Sequence, residues 1–355
     1  MALDVSRGGS TVLITGAASA LGRRVVALVA ADADVERVLA LDQRPLADVP
    51  ARVESHVVAL EQADLKRLAH DVTVIIHLAQ ATGAVAASAG VAGDGALARL
   101  VLEAASAVGA EHVVLLSSAT AYGAWANNPV PLTEEAPLRP NPGLWSAFEK
   151  AEVERAAGEW RDDHPGVTVS LLRPTVTVCA QGNGWLARAL ARSSVLPVVE
   201  NEPPAQFLDV ADLASAVDLA RRARLNGPLN VAPDGWIDGD TVRALAGGGF
   251  RLRAPERLAV RWAGLCWRWG LGATPPELLP FTAHPWVVAN DRLKAEGWVP
   301  MSSNEEAYVA AHEPGRWAAL SATRRREVAL AAGGVVLLAK AMGIAAMVRR
   351  RRRRR

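Results

Sequence analysis

The stretch Thr15-Gly16-Ala17-Ala18-Ser19-Ala20-Leu21-Gly22 constrains this chain more than any other. It follows the apolar run Thr11-Val12-Leu13-Ile14 and opens an Ala/Val-rich segment, Arg23 to Ala31. A short β-branched strand, a turn of small residues and then a helix make the phosphate-binding start of a dinucleotide fold. The turn must be small so that backbone N–H groups and the helix N-terminus can reach a pyrophosphate. Gly16 and Gly22 keep two of the three glycine positions, and Ser19 stands at the middle one. The expected cradle is therefore Gly16, Ala18, Ser19, Ala20, Leu21 and Gly22, altered at its centre.

Strand and helix patterns alternate after it. Val38 to Leu41, ending at Asp42, reads as the second strand, and His56 to Leu60 as a third. Ala63 to His70 reads as a short helix, and Val72 to Leu78 as an apolar strand. Ala96 to Val108 reads as a helix, Val113 to Leu116 as a strand, Phe148 to Trp160 as a helix and Val167 to Leu172 as a strand. Continuous apolar strands between helices imply a parallel sheet covered on both faces. The expected fold is α/β: a Rossmann-type doubly wound parallel sheet with a smaller, mixed C-terminal substrate domain. Residues 1–175 would form mainly the dinucleotide domain. Residues 176–315 would form mainly the substrate side, with segments returning to the main sheet. Residues 316–355 would be an apolar helical tail with a poly-Arg end.

Composition excludes some functions. Of 39 basic residues, seven close the chain as Arg349–Arg355, which leaves 32 against 37 acidic groups. The body is thus slightly acidic and lacks the general basicity of a nucleic-acid binder; the Arg run alone would bind nucleic acid without specificity. Cys179 and Cys266 match no metal or redox spacing and read as buried structural thiols in a reducing compartment. No secretory signal opens the chain, so a cytoplasmic location is expected.

Three residues carry candidate chemistry on their own. Asp42 ends the second strand twenty residues after Gly22. A carboxylate there accepts ribose hydroxyls and repels a 2′-phosphate, favouring NAD over NADP. A turn or helix cap is its plainer role, and Arg44 nearby could meet a 2′-phosphate. Ser118, in Ser117-Ser118-Ala119-Thr120-Ala121-Tyr122-Gly123, ends a parallel strand where substrates bind in such sheets; Ser at a strand end also often caps a turn. Lys150 shares a helix face with Ser146; alone it would read as a solvated helix lysine.

In this order the motifs resemble the NAD-dependent epimerase/dehydratase family, the extended branch of the short-chain dehydrogenase/reductase superfamily. His77-Leu78-Ala79, Leu171-Leu172-Arg173-Pro174, Gln206 to Ala214, Leu229-Asn230-Val231-Ala232 and Arg292 to Pro300 look like further pieces of its pattern. The resemblance runs from about residue 10 to about 310. It implies an NAD cofactor touching Leu78, Ala79 and Lys150 as well as the turn and Asp42. It also implies Ser118 as the hydroxyl that orients substrate, and Lys150 as the helix lysine that holds the nicotinamide ribose and lowers the pKa of a tyrosine.

That tyrosine is missing. Its position, four residues before Lys150, is Ser146. The chain has only two tyrosines, Tyr122 and Tyr308. By resemblance Tyr122 lies near the substrate, and Tyr308 lies beyond the motif region. Loss of a general acid/base costs roughly 10²–10⁴ in rate. Ser146 could hold a water as a relay beside Lys150, whereas the helix spacing turns Glu149 away. Two further departures are Val178-Cys179-Ala180-Gln181-Gly182, where the family has a Tyr-Gly-Pro-Gly-like turn, and Ala59-Leu60-Glu61, where it has an adenine-contacting Asp.

Three readings follow. The chain is an epimerase/dehydratase acting on a nucleotide sugar or another hydroxyl-bearing metabolite by transient hydride transfer. Alternatively it is an inactive NAD(P)-binding sensor or scaffold, or a lipid- or sterol-type hydroxyl dehydrogenase. A homodimer is an expected assembly. The apolar segment Val328–Val348 approaches the length of a membrane span, but Lys340 within it costs roughly 2.5–3.5 kcal/mol on insertion. With the Arg run beyond it, and with the Trp/Arg mixture of Arg257 to Trp269, the segment points to a peripheral contact with an anionic membrane surface. Packing of these Trp within the small domain is the alternative.

Overall fold

The computed structural model describes residues 9–81, 92–192, 203–245, 255–269 and 275–312. Strands β1 (Ser10–Thr15), β2 (Val35–Asp42), β3 (Val53–Val57), β4 (Val74–His77), β5 (His112–Leu116), β6 (Thr168–Pro174) and β9 (Gly227–Val231) form one sheet in the order β3-β2-β1-β4-β5-β6-β9. Every pairing in it is parallel. Between the first strands lie helices α1 (Ala20–Ala31), α2 (Leu65–Leu68), α3 (Asp94–Val108) and α4 (Trp145–Asp163). Strand β7 (Val176–Val178), helix α5 (Trp185–Arg192), strand β8 (Phe207–Asp209) and helix α6 (Val210–Arg222) follow β6. Helices α7 (Gly239–Leu245), α8 (Glu256–Arg268), α9 (Pro280–Ala283), α10 (Asp291–Ala295) and α11 (Asn304–Ala311) complete the described chain. The tail, residues 316–355, lies outside the described residues.

Alternation along the strands builds two cores. Val12, Ile14, Val38, Ile76 and Val114 face α1 and α6. Their neighbours Leu13, Leu39, Ile75, Val113 and Leu115 face α3 and α4. Successive strand side chains point to opposite faces, so a sheet covered on both sides needs apolar residues at both. A third apolar cluster, including Leu144, Val176, Phe207, Phe281 and Trp286, forms around the parallel pair β7-β8.

Some elements differ from the sequence reading. The third strand is Val53–Val57, not His56–Leu60. It is a sheet edge with mostly exposed or half-buried side chains, so its composition carries little apolar signal. Helix α3 starts at Asp94 and α4 at Trp145, each before the first apolar residue that marked it. The extension of α3 adds a site residue, Asp94. Cys179 is buried as expected, but Cys266 is only partly buried.

The C-terminal motifs serve as braces. Asp212 accepts backbone N–H bonds from Met301 and Ser302 at 2.8 and 3.0 Å. Gln206 is buried and bonds the backbone of Val288 in both directions. These contacts pin the C-terminal segments to α6 and to the residue that precedes β8.

Candidate functional site

The strand order turns at β1, with β2 on one side and β4 on the other, and ligands bind outside the carboxyl ends at such a switch point. Gly16 adopts φ +73°, and a Cβ added to it would lie 2.6 Å from the Ala79 backbone nitrogen. At Gly22 an added Cβ would lie 2.1 Å from the Gly16 carbonyl oxygen. The turn therefore packs backbone against backbone, and glycine is required at both positions. Ser19 occupies the middle position without intruding. Its hydroxyl donates to the Gly16 carbonyl at 2.8 Å and accepts from the Gly22 N–H at 2.9 Å. It is the N-cap of α1. The helix start still offers the N–H groups of Ala20 and Leu21, which no intrahelical carbonyl can take.

Asp42 closes one side of the turn. Its carboxylate accepts from the Ala18 N–H and the Arg44 N–H, both at 2.9 Å, with the Arg44 guanidinium 3.6 Å away. A carboxylate has about four acceptor sites, so two remain for hydroxyls. Leu78 and Ala79 form the opposite wall, continuing from His77. The His77 ring bonds Thr15 Oγ1 at 2.7 Å. Burial, reinforced by the charge of Lys150, holds His77 down to about 4, so it is neutral near pH 7.

The second half of the site lies on α4. Ser146, Lys150 and Glu154 follow at helical spacing and face the ends of β5 and β6. Lys150 is buried. Its ammonium donates to the Leu116 carbonyl at 3.1 Å and pairs with Asp94 at 2.9 Å. The Asp94 carboxylate also accepts the Ala81 N–H at 2.5 Å. Ser146 Oγ is buried and has no hydrogen-bond partner among the described residues. Ser118 caps the turn Ala119–Tyr122, accepting from the Thr120 N–H at 3.2 Å and the Thr120 hydroxyl at 2.9 Å.

Both tyrosines of the chain are engaged in contacts of their own. Tyr122 donates to Asn230 at 2.8 Å and accepts from Arg173 at 2.5 Å. Burial pushes its hydroxyl up to about 12. Arg173 is in turn locked to Glu154, which also accepts the Ser117 hydroxyl. Tyr308 packs against Phe207 and His312 in the third apolar cluster. Glu149 accepts the Gly95 N–H at 3.0 Å and so belongs to the start of α3.

Sequence reasoning missed Asp94 as the partner of Lys150, and the Tyr122–Arg173–Glu154 chain. The only local signal for Asp94 was an acidic residue ahead of an apolar helix.

A family model, the NAD dependent epimerase/dehydratase family, matches residues 12–232. The chain belongs to that family. Solved structures share the fold of this family member. The UDP-glucose 4-epimerase of Thermus thermophilus, in complex with NAD, is 22% identical with a TM-score of 0.62, covering 85% of this chain and 97% of its own. MoeE5, in complex with UDP-glucuronic acid and NAD, is 19% identical with a TM-score of 0.63 over the same shares. The dTDP-glucose 4,6-dehydratase DesIV of Streptomyces venezuelae, with NAD and TYD bound, is 17% identical with a TM-score of 0.64, covering 85% and 95%. None of the curated proteins compared with the chain matches it.

Proposed function

We propose that this family member binds NAD and performs epimerase/dehydratase chemistry on a nucleotide sugar, at a rate limited by the missing phenol. The observation that carries this reading is Ser146 Oγ, buried one turn before Lys150 and without a partner among the described residues. A buried hydroxyl left unpaired costs about 1–3 kcal/mol, so a ligand or a bound water is the natural partner.

Gly16, Ala18, Ser19, Ala20, Leu21 and Gly22 would hold the pyrophosphate, Asp42 the adenosine ribose, and Leu78 and Ala79 the facing wall. NAD supplies a reversible hydride acceptor for a carbinol carbon when bound. Lys150 places two of its three N–H groups on Leu116 and Asp94; the third would hold the nicotinamide ribose. Ser118 orients the substrate hydroxyl. Ser146 would hold a water that passes the hydroxyl proton on to bulk solvent and passes one back, since neutral water beside the Lys150 ammonium cannot keep it. A cytoplasmic location would give access to NAD and sugar nucleotides.

A second reading, an NAD-holding sensor with no turnover, is favoured by one observation. Tyr122 is bound within the fold and Tyr308 is packed in the third apolar cluster. The deciding experiment combines melting curves with millimolar NAD or NADP and NMR of UDP-glucose incubated with protein and NAD. A rise with NAD and slow change at the sugar ring is expected. A rise without any conversion selects the sensor. No rise with either dinucleotide sinks both readings.

A further inference from the structure

Helix α8 carries a face that the site does not use. It rests on the body through Ala259 and Ala263, which pack against Leu279. Leu258, Trp262, Leu265 and Trp269 follow at spacings of four, three and four, so they form one stripe, and all are exposed. Trp262 is 55% and Trp269 70% exposed. Arg261 and Arg268 flank the stripe on one side and are exposed too.

We propose that this face of α8 docks on an anionic lipid surface, Trp262, Leu265 and Trp269 entering the headgroup layer while Arg261 and Arg268 meet lipid phosphates. A helix with an apolar stripe and a basic flank lies in the plane of such an interface, and Trp places its apolar ring and its N–H on opposite sides of the boundary. Charge chooses the occupant. Helix α8 contains three arginines against one acidic residue, Glu256 at its first position. The 43 residues beyond His312 contain twelve basic and two acidic residues. The chain's own tail and a second copy of α8 both bring like charge to the arginine flank, whereas anionic headgroups oppose both basic segments at once. No helix among the described residues is long and apolar enough to cross a membrane, so the contact is one of lying on the surface. The inference is independent of the proposed chemistry.

The test uses the full chain and vesicles of phosphatidylcholine, alone or with roughly a third phosphatidylglycerol. Flotation with the anionic vesicles only is expected, together with quenching of Trp fluorescence by brominated lipid. Trp262→Ser with Trp269→Ser should keep the melting temperature, because both side chains are exposed, yet lower the partition coefficient at least about tenfold. Undiminished flotation of that double variant overturns the proposal, since the tail alone would then suffice. So does equal binding to neutral vesicles. A drop in the mass of the free protein on the same substitutions would also overturn it, marking the stripe as a contact between copies.

Discussion

Lys150 and Asp94 form a buried ion pair, 2.9 Å from ammonium to carboxylate, with side chains 8% and 7% exposed. The charge at the heart of the site is therefore matched from within the protein. Asp94 fixes Lys150 against the end of β5 and ties it to the loop at Ala81. It is a positioning residue, because it touches the lysine rather than a substrate.

Removing one partner strands the other in a poor solvent for charge. Asp94→Ala should cost about 3–5 kcal/mol of stability. Adding Lys150→Met should recover most of that loss, since no lone charge remains. Urea titrations of the two variants check this; equal losses in both would mean that the pair contributes only packing.

Ser146→Tyr should restore a phenol four residues before Lys150. Turnover on a sugar nucleotide is expected to rise by roughly 10²-fold or more, with the gain seen mainly in kcat. The double variant Ser146→Tyr with Lys150→Met should lose the gain, because the phenol then lacks a neighbouring cation. Progress curves followed by NMR compare the three proteins.

Tyr122→Phe separates structure from catalysis. It deletes the hydroxyl shared by Asn230 and Arg173 and leaves two buried polar groups short of a partner. A stability loss of about 1–3 kcal/mol is expected, with any turnover changing by no more than about twofold. A collapse of turnover with unchanged melting would instead make Tyr122 the proton donor.

Acid should weaken the fold through two histidines. Burial holds His77 and His112 down to about 4, from 6.5. Above pH 6.5 both are neutral whether folded or not. Between about pH 6.5 and 4 the unfolded chain takes up protons that the folded chain refuses, so stability falls as pH falls, by up to roughly 1.4 kcal/mol per pH unit for each histidine. Below about 4 their contribution levels off. Urea midpoints across this range test it, and His112→Gln should flatten the slope by about half.

The sheet was legible because β1, β4 and β5 are continuous apolar runs, which only a doubly covered parallel strand wants. The turn was legible because its glycines answer a local steric demand. The edge strand β3 was not, since half-exposed side chains blur the pattern. Asp94 was hidden for another reason: its partner lies 56 residues further along, and an acidic residue at a helix start already has a sufficient local explanation in the helix dipole. That Ser146 stands four residues before Lys150 could be read, but that its Oγ finds no partner among the described residues depends on packing that no spacing rule encodes.

Strand β9 pairs with β6 although 52 residues separate Pro174 from Gly227. As the chain leaves the ribosome, β6 thus offers a bare edge until residue 231 has emerged. An unpaired edge is a template for association with another chain. Cutting the gene after residue 175 would freeze that vulnerable state. Residues 1–175 are consequently a poor candidate for expression by themselves, and any shortened form that is to avoid edge-to-edge association has to carry β9 with it.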